Sequence, residues 1–72
     1  MTILKYPRQL TKEQLRVVNE SGKTIYRIAQ ETGLRYQTVF NAVKKTSNVE
    51  MSTVAAIARS LGYSIDDFEQ LA

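Results

Sequence analysis

The chain has 72 residues and 43% hydrophobic side chains, enough for one small domain with a thin core. It has no cysteine and no histidine, which excludes disulfides, thiol chemistry, Cys/His zinc sites and histidine acid–base catalysis. Residues 1–45 hold nine basic and three acidic side chains, a net of +6, whereas residues 46–72 hold one basic and four acidic, a net of −3. A domain with one basic end suits a polyanionic partner. The plainer reading is that solvated surfaces vary by chance. The longest apolar run, residues 54–58, is far below the ~20 residues of a membrane span. No apolar segment near Met1 resembles a signal peptide, so a cytoplasmic protein without membrane contact is expected.

Residues 1–9 read as an N-terminal arm carrying Lys5, Pro7 and Arg8. Disorder of this arm, or packing through Ile3, Leu4 and Tyr6, are both open. Residues 10–72 read as a single domain of five short helices. Helix 1 starts at Thr11, which has capping-box spacing to Gln14, while Leu10 and Leu15 have staple spacing. Gly22 is its natural stop. Helix 2 follows the N-cap Thr24, turns Ile25, Ile28 and Ala29 inward, and ends at Gly33. A helical pattern restarts at Leu34 and runs through Val39, Ala42 and Val43 to about Lys45. Helix 4 covers about residues 50–61, with Met51, Val54, Ala55, Ala58 and Leu61 as its inner face, and Gly62 closes it. Helix 5 begins at Ser64 and turns Ile65, Phe68 and Leu71 inward.

Two helices joined by a turn around Gly33 are the sequence form of a helix-turn-helix, here about residues 24–45. Ala29 is small where the helices cross, and Gly33 accepts a left-handed turn. At 100° per residue, Val39, Ala42 and Val43 share one face of helix 3. Gln37, Asn41 and Lys44 lie opposite, flanked by Tyr36 and Phe40 on one side and by Thr38 and Lys45 on the other. Gln and Asn bond adenine edges in the major groove, and Lys reaches guanine or phosphate. A helix of about ten residues is about 15 Å long.

Residues 22–47, GKTIYRIAQETGLRYQTVFNAVKKTS, resemble the Cro/CI-type (lambda-repressor-like, XRE) helix-turn-helix. The segment VEMSTVAAIARSLGYSIDDFEQL is similar to the last two helices of that family, with Ala58, Leu61, Gly62, Ser64 and Asp66 on its pattern. The resemblance covers about residues 10–71. It implies a compact all-α, five-helix domain that binds operator DNA as a dimer. The chain departs from the family pattern at Ile25 and Arg35, often Gln and Ser or Thr, and at Ala42, usually a larger aliphatic. It also has Thr46-Ser47-Asn48 where Asn-Gly is common.

The expected function is a small DNA-binding transcriptional regulator that places helix 3 in the major groove. Gln37, Asn41, Arg35 and Tyr36 are the candidates for base reading. Lys23, Thr24, Thr38, Lys44, Lys45 and Ser47 are the candidates for phosphate contact. The alternative is an antirepressor or modulator, similar in size to small phage proteins of the family, that binds a partner repressor through Tyr36 and Phe40. The resemblance places either in a bacterial or phage-infected cell. For each site residue the plainer reading is a solvated helix side chain. No nucleophile–base pair, metal cluster or phosphate-cradling loop is visible, so no enzyme, metal or cofactor is expected. Asp66 and Asp67 read as helix N-terminal charges rather than a catalytic pair.

Overall fold

Local signals start most of the helices. Thr11, Thr24 and Ser64 each accept a hydrogen bond from the backbone N–H three residues on, which begins α1 (Lys12–Glu20), α2 (Ile25–Thr32) and α5 (Ile65–Glu69). Between them lie α3 (Tyr36–Val43) and α4 (Met51–Ser60), which begin at Arg35 and Glu50 without a side-chain cap. This computed structural model describes residues 5–71. The expected all-α fold of five helices is what it shows, and among the described residues the only extended pairing is an isolated bridge between Arg8 and Val49. Gly33 ends α2 at φ 76°, and its N–H closes on the Ala29 carbonyl at 2.9 Å.

The core is built from Phe68, Ile28, Ile57, Val39, Val54, Ala42 and Ala58, all fully buried. Each buried Val, Ile or Phe contributes about 1.5–3 kcal/mol. On α4 the sequence reading needs correction. Ile57 is fully buried, whereas Met51 is 52% exposed and Ala55 only half-buried. The buried row is Val54, Ile57 and Ala58, because α4 packs on α2 and α5 together and so turns its middle inward. Helix α3 also stops earlier than expected, at Val43, with Lys44 as its C-cap.

Among the described residues one polar side chain is buried. Gln14 has no exposed surface, and its Nε2 donates to the Phe68 carbonyl at 2.9 Å. Its Oε1 accepts the Thr11 N–H at 3.0 Å, which completes the capping box. The Thr11 hydroxyl donates to the Leu71 carbonyl at 2.5 Å. A residue that capping spacing marks only as a local partner thus also ties the first helix to the last. The arm packs too: Tyr6 lies against the core and donates to the Glu69 carboxylate at 2.8 Å. Ile3 and Leu4 fall outside the described residues.

Gln14→Ala removes the buried side-chain donor to the Phe68 carbonyl, which keeps only the Leu71 N–H at 3.1 Å, deprives the Thr11 N–H of its acceptor and opens a void. It is expected to cost about 2–4 kcal/mol in urea unfolding, well above the usual change for an exposed helix residue.

Candidate nucleic-acid interface

Helix α3 is held from one side only. Val39, Ala42 and Val43 are buried against the rest of the core, while Arg35, Tyr36, Gln37 and Lys44 are exposed. Thr38, Phe40 and Asn41 are half-buried between the two faces. The helix has eight residues rather than about ten, which makes it about 12 Å long. That still matches a major groove about 12 Å wide.

Gln37 and Asn41 are brought together. One turn apart, they share a hydrogen bond in which Gln37 Nε2 donates to Asn41 Oδ1 at 2.8 Å. Among the described residues, the Gln37 carbonyl oxygen and the Asn41 amino group have no further hydrogen-bond partner. The pair therefore offers one acceptor and one donor group from a mutually restrained geometry.

The basic residues separate into two groups. Arg16 is enclosed by Glu13 and Glu20, at 2.6 and 3.0 Å. Glu31 takes both Lys23, at 2.5 Å, and Arg27, at 2.6 Å. The Lys23 ammonium donates to the Ser60 carbonyl as well, so it clasps α2 to the end of α4. A phosphate bound by Lys23 would have to compete with both partners. The hydrogen bond from Lys23, then that from Arg27, holds the Glu31 carboxyl below its ordinary range. Among the described residues, Arg35, Lys44 and Lys45 form no ion pair. They bracket α3, with Arg35 at its N-cap and the two lysines just past its last turn. Among the described residues Lys5, Arg8, Lys12 and Arg59 form no ion pair either, so three of the seven unpaired cations bracket α3.

Thr24 caps α2 through its hydroxyl, which accepts the Arg27 N–H at 3.0 Å. Ser47 is exposed, and its backbone N–H donates to the Asn41 carbonyl at 3.0 Å. Tyr36 stacks on Phe40 with centroids 6.1 Å apart. An open cleft of about 260 Å³ joins several of these residues, with Lys23, Thr24, Tyr36 and Lys44 all in its lining.

The family model of the Cro/C1-type HTH DNA-binding domain matches residues 15–71. The chain belongs to this family. No curated protein and no solved structure matches it. The Cro/C1-type domain is a DNA-binding regulatory fold, and α2 with α3 is its helix-turn-helix. Among the described residues, no three His, Cys, Asp or Glu side chains gather as for a metal ion. No described helix is long and apolar enough to cross a membrane.

One exposed aromatic of this Cro/C1-type domain lies outside the residues expected from sequence. Tyr26 is 62% exposed in the first turn of α2, lines the same cleft as Tyr36, and accepts a hydrogen bond from Gln30. Its position just off the Ile25–Ile28–Ala29 row was the available signal.

Since the Glu31 carboxyl is held low when folded, its contribution is full above the ordinary carboxylate range and is lost as pH falls through the lowered value. Glu31→Gln is expected to unfold at lower temperature than the parent at neutral pH. The gap begins to narrow once the medium is more acidic than the ordinary value of 4.5 and closes below the lowered one, as thermal melts across the acid range will read.

Proposed function

We propose that this DNA-binding domain is a transcriptional regulator that reads an operator with α3 in the major groove. The observation that carries the reading is the exposed Gln37–Asn41 pair, opposite the buried Val39–Ala42–Val43 face and bracketed by Arg35, Lys44 and Lys45. An adenine edge presents one acceptor and one donor in the major groove, which is complementary to what the pair leaves open. Arg35 and Tyr36, at the start of α3, reach the neighbouring base or its phosphate. Lys44, Lys45 and Ser47 hold the backbone beyond the last turn, and Thr24 and Thr38 approach it from the sides. Two copies on a pseudo-palindrome would set half-sites about 34–36 Å apart.

Selection from a random duplex pool tests this reading: a consensus with half-site symmetry is the expected outcome. Gln37→Ala is expected to lose about 1–3 kcal/mol and to relax preference at one base position. Lys44→Ala is expected to weaken all sequences alike and to reduce the salt slope by about one unit. Salt-sensitive binding without any consensus would sink the operator reading.

A second reading is favoured by the aromatics. Tyr26 and Tyr36 are 62% and 50% exposed, and Tyr36 lies stacked on Phe40. Exposed aromatics are favoured anchors of protein interfaces. On this reading the chain is an antirepressor that covers the DNA-binding face of a partner repressor. Phe40→Ala separates the two, with DNA affinity and repressor capture measured side by side. It abolishes repressor binding if the aromatics are the anchor, and it changes DNA affinity only modestly if the amide pair reads bases.

A further inference from the structure

We propose that the N-terminal arm positions the connector between α3 and α4, and so sets DNA affinity without touching DNA. The inference rests on the reading of α3 as the DNA-binding helix. The connector carries Lys44, Lys45 and Ser47, and it has no helix or ladder of its own. Its backbone is strained: Thr46 stands at φ 49°, in the left-handed region that a β-branched residue avoids. Such a conformation persists only where its surroundings over-determine it.

Two restraints hold this connector. On the α3 side, the Ser47 N–H donates to the Asn41 carbonyl at 3.0 Å. On the other side, the arm pairs with it. Arg8 N–H donates to the Val49 carbonyl at 3.1 Å, and Val49 N–H returns a bond to the Arg8 carbonyl at 2.8 Å. Val49 is buried, so this pairing fixes the exit of the connector. The arm is anchored in turn by Tyr6, which packs on the core and donates to Glu69 at 2.8 Å. Burial, then the bond to Glu69, pushes the Tyr6 hydroxyl above its ordinary value, so it stays a donor. The family match begins at Leu15, downstream of the arm. The arm lies outside the matched residues and is placed where the strained connector needs support.

The test compares the full chain with one lacking residues 1–8, by amide exchange and by DNA titration. Without the arm, the Ser47 amide is expected to exchange about tenfold faster relative to the core amide of Ile57, and DNA to bind about tenfold more weakly. Ser47 makes no bond to the arm, so its exchange reports the geometry of the connector rather than a lost partner. Lys5→Ala with Arg8→Gln removes the charges of the arm but leaves its backbone pairing intact and keeps a polar planar group beside the Tyr6 ring, over which Arg8 lies at 5.9 Å. This double variant is expected to leave the Ser47-to-Ile57 exchange ratio unchanged. If it reproduces the affinity loss, the arm contacts DNA directly and the proposal falls. Thr46→Asn, which suits a left-handed backbone, is expected to restore much of the Ser47 protection to the truncated chain. If truncation unfolds the chain, Tyr6→Ala replaces it, and the same rise in Ser47 exchange is expected. An unchanged Ser47-to-Ile57 ratio in either variant overturns the proposal. If the full chain binds no duplex, the operator reading fails, and the exchange ratio still decides the role of the arm.

Discussion

None of the five helices is longer than ten residues, and a helix that short does not hold its shape alone in water. Each exists because the others bury one of its faces. The dependence is sharpest for α3, which has eight residues and no side-chain cap. Its stability comes from Val39, Ala42 and Val43, so the residues that fix the helix and those free to bind are necessarily different. Gln37 and Asn41 cost the fold little, and their mutual hydrogen bond limits the freedom they lose on binding.

The same economy shapes the electrostatics. Glu13, Glu20 and Glu31 lie in the basic part of the chain, and all three are used to pair Arg16, Lys23 and Arg27. Exposed pairs of this kind add little stability. Their larger effect is on where positive charge stays available, and three of the cations left unpaired among the described residues stand at the two ends of α3. A polyanion approaching the exposed face of α3 meets unpaired positive charge at both of its ends.

Much of this was legible in the sequence. The caps at Thr11, Thr24 and Ser64 and the turn at Gly33 depend on a few neighbouring residues, so local rules place them. The buried row of α3 follows from helical period, since α3 packs through one face. Period was less informative for α4, where Ile57 rather than Met51 is buried, because two neighbours share that helix. Gln14 was legible as a cap but not as a buried bridge to Phe68, whose carbonyl lies 54 positions away. Lys23 looked like a free cation because Glu31 and Ser60 approach it only after folding. The strain at Thr46 was hinted at by the missing Gly of the family loop, but the left-handed backbone appears only in the structure.

The sequence by itself determined the helices, their order, the helix-turn-helix and the outward stripe of α3. These follow from capping chemistry, glycine geometry and the 3.6-residue period, all of which act within a few residues. Only the tertiary structure decided which cations remain unpaired, that an amide is buried between the first and last helices, and that the arm is paired with the connector after α3. Those outcomes depend on contacts between distant residues, and a distance in space is not written in the spacing of a chain.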